Sequence, residues 1–82
     1  MKVLFFASLR ERVKCDQEEW NDVSNISTPQ DILNRLIERG APWDGALQSG
    51  KLLVSINQEM ANLNSNVVLN DEVAFFPPVT GG

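Results

Sequence analysis

The residues of this sequence best suited to chemistry are Gly81 and Gly82, which follow Pro77-Pro78-Val79-Thr80. A Gly-Gly end carries no side chains, so it can enter a channel too narrow for other residue pairs, with its carboxylate leading. Glycine loses more conformational freedom on ordering than any other residue, so such an end should stay mobile until a partner holds it. We therefore expect Gly82 to be a reactive terminus on a flexible tail, residues 77–82.

Few other groups in the chain could act in catalysis. The sequence has no histidine and one cysteine, Cys15, which excludes an internal disulfide, the usual Cys/His metal sites and an imidazole base. Lys14 beside Cys15 could lower the pKa of the thiol, but no base or oxyanion hole accompanies it. We expect no metal site and no permanently bound cofactor.

Charge and composition limit the partners. The chain has 82 residues and a formal net charge of −4, which repels phosphate backbones and argues against nucleic acid. Its basic residues Arg10, Arg12 and Lys14 are interrupted by acidic ones and predict a solvated loop. No apolar run approaches the roughly 18–20 residues that span a membrane, and the apolar start is too short for a signal peptide. The sequence predicts a cytoplasmic protein with no membrane partner.

The first half of the chain predicts two strands. Residues 2–9 are almost all apolar and predict a strand, with Val3 and Phe5 facing the core and Phe6 facing the other way. Residues 10–17 are charged and predict a loop. Residues 18–23 predict a second strand, with Trp20 as its inward anchor.

Thr28-Pro29-Gln30-Asp31 is the clearest local signal and predicts the start of a helix. Thr28 can cap the helix, proline suits its first position, and Asp31 completes a capping box. Gly40 predicts a left-handed end to the helix, and Pro42 prevents its resumption. One helical face is apolar and should pack on a sheet; it consists of Ile32, Leu33, Leu36 and Ile37.

The second half predicts mostly strands. Residues 43–47 could form one short helical turn within a loop. Residues 52–57 predict a strand, followed by a turn at Asn57-Gln58-Glu59 and a short strand near Met60. Residues 72–76 predict the last strand, which Pro77-Pro78 ends because proline cannot donate to a sheet ladder.

The order of these elements predicts an α+β fold of the ubiquitin-like β-grasp type. Its mixed sheet would have about four to five strands, with one main helix packed on one face. The strongly apolar first and last strands suit a buried parallel pair at the centre of the sheet. We expect residues 1–76 to form this domain and residues 77–82 to form the tail.

Both ends of the chain resemble a known family. Residues 3–11 (VLFFASLRE) and 71–82 (DEVAFFPPVTGG) closely resemble the small subunits of molybdopterin synthases, the MoaD branch of the MoaD/ThiS sulfur-carrier family. Residues 52–57 also fit this family. The resemblance covers the whole chain and is most specific in its last twelve residues.

The resemblance implies a function for Gly82. A ubiquitin-activating-type adenylyltransferase would use ATP to adenylate its carboxylate, and a sulfur donor of the cysteine desulfurase or rhodanese type would then leave it as a thiocarboxylate. The tail (Pro77, Pro78, Val79, Thr80 and Gly81) would insert into the large synthase subunit and deliver sulfur to cyclic pyranopterin monophosphate. The chain would thus be a non-catalytic subunit of a heterotetramer of two small and two large subunits, because the catalytic residues would lie in the large subunit.

The resemblance also implies a docking surface. Phe6 and Phe76 would lie on the sheet face opposite Phe5 and Phe75, with Met60 near them. In relatives, apolar residues at these positions contact the activating enzyme and the large subunit, and exposed aromatic pairs are unusual unless something covers them. The alternative interpretation places the same aromatics in a second core under a loop.

Other functions remain open at this point. The chain could carry sulfur for thiamine thiazole, for a thiolated tRNA or for an amino acid. It could also be a ubiquitin-like modifier whose Gly82 forms isopeptide bonds with lysines, or a plain β-grasp binding module. These other carriers share the terminal Gly-Gly, but the Phe-Phe-Pro-Pro segment that precedes it here, residues 75–78, favours the pterin branch.

Overall fold

The computed structural model describes residues 1–48 and 52–78. Eight elements follow one another in the described chain. They are β1 (Lys2–Phe5), α1 (Ala7–Val13), β2 (Gln17–Glu19), α2 (Pro29–Ile37), α3 (Trp43–Gln48), β3 (Leu53–Ile56), β4 (Glu59–Ala61) and β5 (Glu72–Phe76). None of the helices in this part of the chain is long and apolar enough to cross a membrane.

The five strands form one mixed sheet in the order β2-β1-β5-β3-β4. β1 and β5 run parallel, with Val3 opposite Val73 and Phe5 opposite Phe75, and the other strand pairs are antiparallel. β5 therefore lies at the centre with a hydrogen-bonded neighbour on each side. The predicted ubiquitin-like β-grasp, with its parallel pair of first and last strands, is confirmed.

Helix α2 begins as the sequence predicts. The Thr28 hydroxyl accepts from the Asp31 N–H at 3.3 Å, and the Asp31 carboxylate accepts in return from the Thr28 N–H at 3.1 Å. The Ser27 N–H also donates to Asp31, at 2.9 Å, and these backbone donors hold the pKa of the Asp31 carboxyl below its usual value. α2 ends at Ile37, and Gly40 follows with a φ of +83°, where glycine is favoured.

The core lies between the sheet and the helices. Ile32, Leu33 and Leu36 of α2 are buried against the inward side chains of the central strands. The Phe5 and Phe75 rings stack with centroids 6.5 Å apart, and Trp43 of α3 meets Phe5 edge-on at 5.3 Å. The largest inward side chains of the strands are almost fully buried; they are Val3, Phe5, Val54, Val73 and Phe75.

The sequence interpretation was wrong for residues 6–13, whereas the predicted loop is confirmed at residues 14–16. β1 ends at Phe5 and α1 follows, where the apolar run predicted a longer strand and the charged run a loop. Leu9 and Val13 are one helical turn apart and both buried, so α1 adds to the core. Ala7 has a φ of 54°, which turns the chain out of the sheet directly after Phe6.

The second strand is also shorter and earlier than predicted. β2 occupies Gln17–Glu19, whereas the pattern predicted residues 18–23. Trp20 follows β2 and is buried, as an inward anchor should be. The helical turn at residues 43–47 is confirmed as α3, and Asn57 and Gln58 form the predicted turn between β3 and β4.

Candidate functional site

The sheet face opposite the helices carries the candidate site. Side chains alternate along a strand, so burying Phe5 and Phe75 against the helices directs Phe6 and Phe76 to this open face. The two outer rings stack with centroids 5.0 Å apart and planes inclined by 9°. Phe6 keeps 36% of its surface exposed, while Phe5 keeps 1%. The predicted division of the two aromatic pairs between opposite faces is confirmed.

A groove of about 450 Å³ runs across the open face. It brings together Phe6, Met60 and Phe76, the three residues that the sequence singled out for partner binding. Met60 is 67% exposed, so its thioether is available to a partner. Five further residues line the groove and were not singled out; they are Leu4, Ser55, Gln58, Glu72 and Ala74.

The signals for these five residues differ. Leu4 and Ala74 obey the same strand alternation as Phe6 and Phe76, so the pattern already placed them on the open face. Glu72 obeys this alternation too, because it lies two residues before Ala74 on β5, whereas Gln58 carried no local signal. Gln58 and Glu72 come together because β3 pairs with both β4 and β5, which are far apart in sequence.

Polar contacts fix the end of the groove that lies away from Phe6 and Phe76. The Asn57 Oδ1 accepts from the Glu72 N–H at 3.0 Å, and the Asn57 Nδ2 donates to the Asp71 Oδ1 at 3.0 Å. The Asn57 N–H donates to the Glu72 carbonyl at 2.8 Å. The β3–β4 turn is thereby tied to the start of β5, and this tie sets the position of Glu72.

The predicted tail leaves the sheet beside the aromatic pair. β5 ends at Phe76, and the Phe6 N–H donates to the Phe75 carbonyl at 3.2 Å, which closes the parallel ladder at that end. Pro77 is half-buried and Pro78 is exposed. Val79, Thr80, Gly81 and Gly82 lie outside the described residues.

Cys15 lies away from this face and is not activated. Its thiol is half-buried and donates weakly to the Gln17 carbonyl at 3.4 Å. Burial raises the pKa of the thiol, and the Glu18 carboxylate adds to that rise. The suggestion that Lys14 would lower this pKa was wrong, and the expectation that Cys15 is no nucleophile agrees with its surroundings.

Glu18 belongs to a polar cluster on the helix-covered side. Arg39 of the α2–α3 connection donates two hydrogen bonds to its carboxylate, each 2.8 Å long, and the Trp20 indole N–H donates a third at 2.9 Å. The Arg39 bonds, more than the Trp20 bond, hold the pKa of Glu18 below its usual value. Arg39 also lies 4.8 Å from the centroid of the Trp43 ring. These contacts clamp β2 to the helices and offer no reactive group.

Comparison with known proteins agrees with this arrangement. A model of the ThiS family matches residues 3–82. Curated molybdopterin synthase sulfur carrier subunits of Haemophilus influenzae and Escherichia coli are 45% and 40% identical, and each alignment covers 100% of this chain and 99% of the relative. The crystal structure of H. volcanii small archaeal modifier protein 1 has a TM-score of 0.72 and 29% identity, covering 96% of this chain and 97% of that one. The likeness therefore includes both the strands of the groove and the last residues.

Proposed function

The chain belongs to the ThiS family, and from that premise we propose that it is the sulfur carrier subunit of a molybdopterin synthase. The observation that carries the proposal is the 45% identity, over the full chain, to a curated protein of that description. The apolar groove supports it, because a carrier must dock on other proteins that hold the catalytic groups. The large synthase subunit is the principal partner.

The Gly82 carboxylate is the group that carries sulfur. It is ionised at neutral pH, since a C-terminal carboxyl has a pKa of about 3.3–3.7. It attacks ATP on the activating partner, releases pyrophosphate and becomes an acyl-adenylate. The terminal sulfur of a persulfide donor then displaces AMP and forms an acyl disulfide, and a second thiol of the donor reduces its S–S bond, which releases the thiocarboxylate and leaves a disulfide on the donor. The thiocarboxylate is a soft anionic nucleophile that attacks the pterin, and water then hydrolyses the resulting thioester and restores the Gly82 carboxylate. No step requires a base on this chain, which agrees with the absence of histidine.

The tail delivers this group into the large subunit. Six residues, 77–82, reach roughly 19 Å at a polyproline-like rise of about 3.1 Å each. Pro77 and Pro78 stiffen the base of the tail and reduce the entropy lost on insertion. Val79 and Thr80 can pair through their backbones with a partner groove, and Gly81 passes the narrowest point.

Phe6, Met60 and Phe76 form the apolar contact that brings the tail to its channel. They are exposed or half-buried, they line one groove, and the two rings lie beside the end of β5. Burying such a patch releases about 25 cal/mol per Å² of apolar surface. Docking at the base of the tail lets one surface serve the activating enzyme and the large subunit in turn.

Intact-mass spectrometry of protein isolated from cells tests the proposal. We expect a species in which sulfur has replaced one oxygen, and its loss when Gly82 is deleted or when the activating enzyme is absent. Molybdoenzyme activity in a strain lacking the gene then separates pterin synthesis from thiazole or tRNA thiolation. A carrier that never gains sulfur, or a deletion strain with normal molybdoenzymes, would contradict the proposal.

A second function is favoured by one observation, the likeness to the H. volcanii modifier protein. In that case an amine attacks activated Gly82 and an isopeptide bond to a lysine forms. The same mass measurement distinguishes the two, because a modifier appears as discrete higher-mass conjugates and not as a thiocarboxylate.

A further inference from the structure

The groove on the open face has two chemically different ends. Its apolar end is the stacked pair Phe6 and Phe76, beside the tail. Its polar end is formed by Gln58 and Glu72. Phe76 lies four positions after Glu72 along the extended strand β5, which places the two ends about 13 Å apart.

Gln58 occupies a backbone position that glycine would fill more easily. Asn57 and Gln58 form the two-residue loop between β3 and β4, with φ values of 52° and 70°. Such loops favour glycine in the second position because a Cβ is strained there. Gln58 nevertheless has a side chain there, and that side chain lines the groove. Backbone strain of this kind points to a functional use of the side chain.

Glu72 supplies a carboxylate at the same end. Its backbone is held by Asn57, as described above, while no described residue forms an ion pair with its side chain. Lys2 is its register partner on β1 and Glu19 is the next residue across on β2. The Met1 α-ammonium lies 4.0 Å from the Glu19 carboxylate. This end of the sheet thus has three carboxylates (Glu19, Asp71 and Glu72) for two ammonium groups, on a chain whose net charge is −4. The potential at this end favours a cation.

We propose that Gln58 and Glu72 form a recognition site for a Lys or Arg side chain of the protein partner whose apolar side chain fills the Phe6–Phe76 end of the groove. This inference rests on the proposed carrier function and adds a specificity element to it. The apolar end provides hydrophobic contact that many apolar protein surfaces could make. The polar end fixes the direction of the partner along the groove, so that the tail and its channel coincide.

Titration calorimetry with the large synthase subunit tests this site. We expect Glu72→Gln to weaken binding roughly tenfold, as for loss of one charge-assisted hydrogen bond, and to reduce the dependence of affinity on salt. Glu59→Gln is the matched control. Glu59 is an exposed glutamate of the sheet, whereas Glu72 is half-buried, and because Glu59 is next to Met60 on β4 its side chain points away from the open face. Equal effects of the two variants, or none for Glu72→Gln, would overturn the proposal.

Gln58→Gly gives a second test, because a purely structural role of Gln58 would not predict a loss of binding. Removing the strained Cβ should raise the melting temperature, while removing the amide should weaken binding several-fold. Unchanged affinity with raised stability would show that Gln58 recognises nothing. Sulfur loading of the wild-type chain, measured by intact-mass spectrometry, distinguishes failure of this inference from failure of the proposed function. If the wild-type chain loads sulfur and neither variant loses affinity, only the recognition site is contradicted. If the wild-type chain never loads sulfur, the proposed function itself is contradicted.

Discussion

Phe75 and Phe76 are neighbours of the same type with opposite surroundings. Phe75 is fully buried between the sheet and the helices, while Phe76 lies on the open face in a ring stack with Phe6. The same contrast separates Phe5, the last residue of the adjacent strand β1, from Phe6, which follows it. The covered face maintains the fold, and the open face retains aromatic surface that nothing in the described chain covers. Exposed aromatic surface of this kind is unusual unless something covers it, which is consistent with the docking proposed above.

The largest expected effect comes from breaking the covered face. Phe75→Ala should lower the free energy of unfolding by about 3–5 kcal/mol, because it leaves a cavity in a packed core. For a domain whose total stability is about 5–15 kcal/mol, this is a severe loss. Urea denaturation followed by circular dichroism measures it. A loss below about 1 kcal/mol would contradict the central position of this ring.

A smaller effect should follow from the clamp between Glu18 and Arg39. The pKa of Glu18 is lowered in the fold, so its contribution is complete above the ordinary value of 4.5 and is lost as pH falls through the lower, folded value. Glu18→Gln should cost about 1 kcal/mol at pH 7, since the pair is partly exposed and screened.

Thermal melts of wild type and Glu18→Gln across pH check this dependence. We expect the difference between their melting temperatures to be constant from pH 7 to about pH 5 and to shrink below about pH 4.5. Asp31 also has a lowered pKa, but it contributes equally to both proteins. A constant difference down to the acid limit would refute the assigned role of the carboxylate.

A substitution on the open face should affect partner binding more than folding. Phe76→Asp removes a ring stack worth about 0.5–1.5 kcal/mol to folding, and it places a charge in the groove that any apolar partner group would have to desolvate. We expect binding to the large subunit to fall by more than tenfold while the domain stays folded, with a melting temperature lowered by about 2–12 °C. Calorimetric titration and a thermal melt provide the two numbers. Unfolding of the variant would instead support the alternative of a second core.

The smallest effect on the fold should come from the tail. Deleting Gly82 should leave the melting temperature unchanged and abolish sulfur loading, since we place the chemistry on its carboxylate. Replacing Gly81 with Val should likewise spare stability and block transfer, because a β-branched side chain would not pass a narrow channel. A marked loss of stability in the deletion would argue against a free tail.

Local signals were sufficient for much of the fold. The capping box of Thr28 and Asp31 and the apolar face of α2 are short-range patterns, so the helix was predictable. β5 was predicted to the residue because proline ends it at Phe76. The apolar character of the first and last strands suited a central parallel pair, but the pairing itself was inferred from the order of elements in the β-grasp fold.

The failures arose where tertiary structure overrides local pattern. Phe6, Ala7 and Ser8 continue the apolar run of β1, and the first residue of α1 has no side-chain cap before it. Only the spacing of Leu9 and Val13 indicated a helix there. The polar end of the groove was not predictable, because Asn57 and Glu72 meet across a sheet pairing that no short window of sequence contains.

The central position of β5 has a mechanical consequence. A partner that draws residues 77–82 into its channel pulls along the axis of a strand bonded on both sides, by β1 and by β3. A force in this direction acts in shear on the hydrogen bonds of both strand pairs at once. An edge strand, in contrast, would lose its hydrogen bonds one at a time. Under the proposed function, this position of β5 would let the chain be held by its end through repeated loading, delivery and release without unfolding.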